Sequence, residues 1–96
     1  MATNNRVVPG GNQTVMIFVT EPPSGAQDLI TVQVFTASGR RVATLVNAEP
    51  YETLSSKLPI RWDGTNGKGE KLGSGLYFIQ IRATDFKRVL KAMIVR

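Results

Sequence analysis

Short runs of β-branched and apolar residues recur along this chain, and in several of them hydrophobic and polar positions alternate with a period of two, the pattern of β-strands that bury one face. In the segment 29–36, Ile30, Val32 and Val34 share one face, and the residues between them share the other. Similar runs recur at a spacing of about ten residues, with glycine, proline and other turn residues between them. Strands are therefore predicted over 14–20, 29–36, 41–46, 57–62, 76–83 and 87–95. This series is typical of an all-β, two-sheet antiparallel sandwich of about seven strands.

The connections between the predicted strands differ in character. Gly39 lies in a tight turn that joins the second and third strands into a hairpin, and Gly75 directly precedes the strand 76–83. Both glycines are predicted to have a positive φ. The connection 63–75 contains five glycines in 13 residues and is predicted to be a long, turn-rich loop. The segment 47–56 is irregular and is predicted to hold a turn or a short helical stretch.

The predicted strand 76–83 has apolar residues on both faces. Tyr77, Ile79 and Ile81 lie on one face, which is predicted to belong to the core. Leu76 and Phe78 lie on the other face, where we expect a smaller outer patch.

The composition limits the chemistry that the chain can perform. Its 96 residues are enough for one domain, with a flexible N-terminal segment expected at 1–13 and a sandwich domain at 14–96. Histidine and cysteine are absent, which excludes a zinc site built on them, a disulfide framework, a thiol nucleophile and a Ser-His-Asp triad. The acidic residues are all predicted to lie in turns or loops: Glu21, Asp28, Glu49, Glu52, Asp63, Glu70 and Asp85. Neither a cofactor nor an enzymatic activity is therefore expected.

The net charge of +5 is explained first by the solubility of a small domain, and it also favours an acidic partner. The densest basic stretch comprises Lys87, Arg88, Lys91 and Arg96. Because no long basic run is present, no nucleic-acid partner is expected. The longest apolar run covers only a few residues, so no membrane span is expected. The first residues also lack the basic and apolar regions of a secretory signal.

Three motifs in the second half of the chain resemble those of a known family. They are VFTASGRRVATL at 34–45, WDGTNGKG at 62–69 and SGLYF at 74–78, followed by a last strand, KAMIVR, at 91–96. In this order and spacing they resemble FlgD-like immunoglobulin-like domains, a family that overlaps the type A C-terminal sorting domains of type IX secretion. The resemblance assigns the motif turn and core to Gly39, Trp62, Asp63, Gly64, Asn66, Gly69, Gly75 and Tyr77.

The resemblance implies an immunoglobulin-like sandwich without catalytic activity. In this family such a domain is either inserted in flagellar hook-capping proteins or placed last in secreted bacterial proteins, and this chain resembles the second group. The implied role is export or sorting, surface attachment, or assembly, and the implied location is extracellular or at the cell surface. Its implied partners are proteins, either secretion and attachment machinery or further copies of the chain.

Several residues of the loop 63–75 and its flank invite other interpretations. Trp62 is predicted to cover one end of the core, although a single tryptophan could instead stack on a sugar ring. Asp63, Asn66 and Glu70 provide too few oxygen ligands for a calcium loop. Asp63 is predicted instead to accept hydrogen bonds from the backbone N–H groups of Thr65 or Asn66. The glycines do not predict a phosphate site, since a strand follows them rather than a helix.

The expected contact surface is an open sheet edge, which can pair with another chain through backbone hydrogen bonds. We place it on the last strand, at Lys87, Arg88, Lys91 and Arg96. Two alternatives stay open. The segment 1–13 could add to the sheet of a neighbouring copy and build a filament, or the domain could bind carbohydrate, including an anionic polysaccharide, through exposed rings of Trp62 and Tyr51.

Overall fold

A computed structural model describes residues 14–95 of the chain. The segment 1–13, predicted to be flexible, and Arg96, predicted to belong to the contact edge, lie outside the described residues. The elements in chain order are β1 (Val15–Ile17), β2 (Leu29–Thr36), β3 (Arg41–Pro50), a one-turn helix α1 (Tyr51–Leu54), a 3-10 turn (Ser55–Lys57), β4 (Ile60–Trp62), β5 (Gly75–Ala83) and β6 (Phe86–Ile94).

The strands form two antiparallel sheets. One sheet has four strands in the order β3-β2-β5-β6, and the other consists of β1 and β4. The predicted all-β sandwich is thereby confirmed, with six strands between residues 14 and 95 where about seven were expected. The short helix falls within 47–56, the segment for which a turn or a helical stretch was predicted.

The strand β1 is shorter than predicted because its antiparallel partner, β4, begins only at Ile60. Ile17 pairs with Ile60, so the next position, Phe18, would have to pair with Pro59. Proline lacks the N–H that a ladder needs, and the pairing stops there. The alternation of buried and exposed side chains nevertheless continues, since Val19 is buried.

The strand β3 extends four residues beyond its predicted end at Val46. The register to β2 shifts between the pairs Ile30–Glu49 and Val32–Val46, which leaves an extra residue on β3. Ala48 there has φ of 51°, as expected of a residue in a bulge. Glu49 consequently lies in a strand and Glu52 in the helix α1, so the prediction that every acidic residue lies in a turn or loop is wrong for these two.

The core lies between the two sheets. Residues of β1 and β4 cover the inner face of β2 and β5, and Leu54 is the buried residue of α1. Between residues 14 and 95, the largest of the almost fully enclosed side chains are those of Trp62, Ile17, Ile30, Leu54, Ile79, Ile81, Ile94, Val15, Val32 and Val34. Those in β1, β2 and β5 alternate with exposed or half-buried residues, as the period of two predicts.

Asp28 ties two distant turns together. Its carboxylate accepts hydrogen bonds from the hydroxyl of Ser24, from the backbone N–H of Leu29 at 2.8 Å, and from both the N–H and the hydroxyl of Thr84, at 3.0 and 2.7 Å. Thr84 lies in the turn between β5 and β6, 56 residues further along the chain. The hydrogen bonds from Ser24 and Thr84 lower the pKa of Asp28 from 3.8 to about 2.

We expect this carboxylate to make the stability depend on pH. Because the pKa of Asp28 is lower in the folded than in the unfolded state, its contribution is fully present above pH 3.8 and is lost as the pH falls towards 2. Urea unfolding of the parent and of Asp28→Asn should be measured between pH 7 and pH 2. The difference between their free energies of unfolding should be constant above about pH 4 and should shrink as the pH falls towards 2. A difference that is constant with pH would contradict the assignment.

Candidate functional site

Trp62, the last residue of β4, anchors the loop that follows it. Its side chain is 1% exposed, and its indole N–H donates to the carbonyl of Thr65 at 2.8 Å. The ring packs edge-to-face on Tyr77, with 5.5 Å between the ring centroids and 68° between the planes. Such pairs are favourable beyond the area that they bury. A ring enclosed in this way has no face left for a sugar.

Tyr77 holds the other end of the loop. Its side chain is buried in the core, and its hydroxyl donates to the carbonyl of Gly73 at 2.8 Å. Trp62 belongs to the two-stranded sheet and Tyr77 to the four-stranded sheet, so their contact joins the sheets. The loop 63–75 is therefore fastened at both ends by polar atoms of core aromatic residues.

Asn66 organises the tip of the loop. Its side-chain oxygen accepts from the backbone N–H groups of Lys68 and Glu70, at 2.9 and 3.0 Å. Its side-chain amide donates to the carboxylate of Glu70 at 2.8 Å. Asp63 accepts instead from the hydroxyl of Thr65 at 2.6 Å, so the interaction predicted for Asp63 is made by Asn66. Both types of residue favour such turns, and their sequence context alone does not distinguish them.

The loop also contacts the edge of the four-stranded sheet. The N–H of Gly67 donates to the carbonyl of Val42 in β3 at 3.2 Å. An open groove of about 520 Å³ lies beside this contact, between β3 and the loop. Within residues 14–95, no three acidic side chains are placed where they could hold a metal ion.

The motif glycines have φ angles in the region that favours glycine. The values are 94° at Gly39, 80° at Gly64, 81° at Gly69 and 153° at Gly75. At Gly69 the requirement is clear, because its N–H closes the turn by donating to the carbonyl of Asn66 at 3.0 Å.

Comparison with known proteins identifies the family. The model of the FlgD Ig-like domain matches residues 4–86, most of the chain. The chain belongs to the FlgD Ig-like domain family. This FlgD Ig-like chain gives no match when it is compared with curated proteins or with solved structures. The FlgD Ig-like family is not known as a catalytic one.

The matched range includes the whole loop 63–75 and ends at Phe86, the first residue of β6. The match therefore covers the loop and the core residues of this FlgD Ig-like domain up to β5, whereas the core residues Ala92 and Ile94 lie beyond it. The basic residues of β6 lie beyond the match. Among residues 14–95, no helix is long and apolar enough to span a membrane.

The three described basic residues of the predicted contact edge, Lys87, Arg88 and Lys91, all lie in β6, but they do not share one face of the sheet. Lys87 and Lys91 are opposite Arg82 and Phe78 of β5, on the outer face of the four-stranded sheet. Arg88 is opposite Ile81, on the other face, and its guanidinium lies 5.9 Å from the centre of the Phe86 ring. This separation of Arg88 from Lys87 and Lys91 follows from the alternation of side chains along a strand, because residues 87 and 88 must point to opposite faces.

Truncating Trp62 should destabilise the domain strongly. Trp62→Ala removes the largest buried side chain and is expected to cost about 3–5 kcal/mol in the free energy of unfolding. Trp62→Phe keeps an aromatic ring but leaves the carbonyl of Thr65 without the indole donor, and should cost less. Urea unfolding measures both variants. A loss below about 1 kcal/mol for Trp62→Ala would place the ring at the surface.

Gly69 and Gly67, two residues apart in the loop, provide a test variant and its control for backbone strain. A Cβ at either position meets no atom within 4 Å, but only Gly69 has the left-handed φ of 81°. Gly69→Ala should therefore lower the free energy of unfolding by about 1–2 kcal/mol through backbone strain. Gly67→Ala should change it by a few tenths. Equal effects in denaturant unfolding would contradict this explanation.

Proposed function

We propose that this FlgD Ig-like domain is a non-catalytic module that binds other proteins through the open edge of β6. Its setting would be a secreted or surface-attached bacterial protein, in which it supports export, attachment or assembly. The observation that carries the proposal is the position of β6: a nine-residue strand that lies at the end of the order β3-β2-β5-β6, with β5 as its neighbour among the strands described between residues 14 and 95. Edges of this length are templates for strand pairing.

The other sheet edges are less suited to this role. The edge of β3 is contacted by the loop 63–75 through Gly67. The strands β1 and β4 have only three residues each. Among the described strands, β6 is therefore the best candidate for a contact with another chain.

The type IX sorting role rests on the sequence motifs at 34–45, 62–69 and 74–78, which similar sorting domains share. The alternative of a carbohydrate-binding module loses its main support. Its platform would need the ring of Trp62, which is enclosed, while Tyr51 is half-buried.

An export assay tests the proposal. A reporter that ends in this chain should reach the surface of a bacterium with a type IX pathway. Lys87→Glu combined with Lys91→Glu should reduce surface display, whereas Lys68→Glu combined with Lys71→Glu, the same charge change in the loop, should not. Retention of the parent reporter inside the cell would overturn the export role, and equal display of all variants would overturn the role of β6.

Light scattering across a concentration series separates the two kinds of protein partner. Copies of the chain repel each other through their net charge of +5, so we expect a single monomeric species at every concentration. A concentration-dependent ladder of masses would instead assign the contact to further copies of the chain.

A further inference from the structure

The outer face of the four-stranded sheet carries apolar side chains that no described element covers. The outer patch, as we define it, consists of Phe35, Leu76, Phe78, Val89 and Met93. Val89 and Met93 are 50% and 45% exposed, although both lie in a regular strand. Phe35, Phe78 and Val89 also line an open depression of about 270 Å³ beside the β2–β3 turn.

The strand register places these residues in one row with charged neighbours. Phe35 of β2 is opposite Phe78 of β5, and Phe78 is opposite Lys91 of β6. On the other side, Phe35 is opposite Arg41 of β3. The row therefore reads cation, aromatic, aromatic, cation across all four strands. Both cationic residues are exposed.

The rest of this face has the same charge. Its strand positions include Arg82 and Lys87, which are opposite each other, in addition to the two cations of the row. None of the strand positions on this face holds an acidic residue. The depression combines the side chains of Phe35, Phe78 and Val89 with polar neighbours such as Gln80, on a face that carries cations. Such a surface is complementary to a partner that presents an apolar side chain between carboxylates. A second copy of the same face would bring like charges together and is disfavoured.

We propose that the outer patch binds an extended acidic segment of a partner protein. The segment inserts one large apolar side chain into the depression, and carboxylates two residues before and two residues after it pair with Arg41 and Lys91. This inference rests on the proposed function, contact with other proteins, and specifies the chemistry of the partner.

The spacing follows from sheet geometry. Adjacent strands lie about 4.8 Å apart, so each cation backbone is about 7 Å from the midpoint between Phe35 and Phe78. In an extended segment, residues two apart are separated by about 6.7 Å and point to the same side. A segment that crosses the strands therefore matches the row when it has an apolar residue at its centre and an acidic residue two positions away on either side.

A synthetic peptide provides the probe. It has nine residues with blocked ends, a central phenylalanine, glutamate two positions away on both sides, and serine or threonine elsewhere. We expect it to shift the amide NMR signals around Phe35 and Phe78, and to bind about tenfold more tightly than the same peptide with lysine in place of glutamate. Replacing its phenylalanine by alanine should weaken binding by a similar factor. Equal affinity of the three peptides would overturn the proposal.

Variants of the chain locate the site. Phe78→Ser should weaken binding of the acidic peptide about tenfold, whereas Phe18→Ser should leave it unchanged, because Phe18 is 63% exposed and follows β1, a strand of the other sheet. Val89→Glu adds a carboxylate to the depression without touching the core, and should also weaken binding. It keeps the test valid if Phe78→Ser fails to fold. Lys91→Gln should weaken binding more than Lys68→Gln, and the difference should decrease at high salt.

Each remaining outcome counts for or against the outer patch. Binding that is unaffected by Phe78→Ser and Val89→Glu, with shifts confined to the backbone of β6, would overturn the outer patch while leaving the proposed edge contact intact. Absence of peptide binding together with normal export of the reporter would do the same. A failure of export together with peptide binding that depends on Phe78 would instead reject the export role alone.

Discussion

The contact between Trp62 and Tyr77 is the interaction on which the rest of the structure depends. It joins the two sheets within the core, and the polar atoms of both rings bond to carbonyls of the loop 63–75. Buried polar groups of this kind need hydrogen-bond partners. The two rings can therefore adopt their buried positions only when the loop adopts the conformation that presents the carbonyls of Thr65 and Gly73 to them. The glycine-rich loop is thus part of the core packing, despite its exposed position.

The sequence predicts the local elements and the pairing of β2 with β3 as a hairpin, but it does not predict the registers in which the strands pair. The bounds of β2 follow directly from its alternation, because one complete face is buried. The early end of β1 depends on Pro59, which follows Ile17 by 42 positions in the sequence. It also depends on the register that pairs Ile17 with Ile60, and no local sequence pattern predicts that register. The bulge at Ala48 has a similar origin, since it is defined only against the partner strand β2.

Within the site, turn chemistry limits what can be predicted. Asp63 and Asn66 both suit a turn that bonds to its own backbone, and the fold assigns that role to Asn66. The separation of Arg88 from Lys87 and Lys91 could have been predicted, because it follows from alternation alone. The outer patch was indicated by Leu76 and Phe78, but its extension to Phe35 and Val89 requires the strand order β2-β5-β6.

The attachment of the loop to the core also has a consequence for proteolysis. Lys68 and Lys71 are exposed among glycines, a context in which trypsin normally cuts readily. Here the N–H groups of residues 66–70 and 72 are bonded within the loop or to β3. A protease needs an extended, detached segment, and detaching this one uncouples Trp62 and Tyr77 from their acceptors. Cleavage in the loop should therefore require opening of the whole domain rather than a local fluctuation.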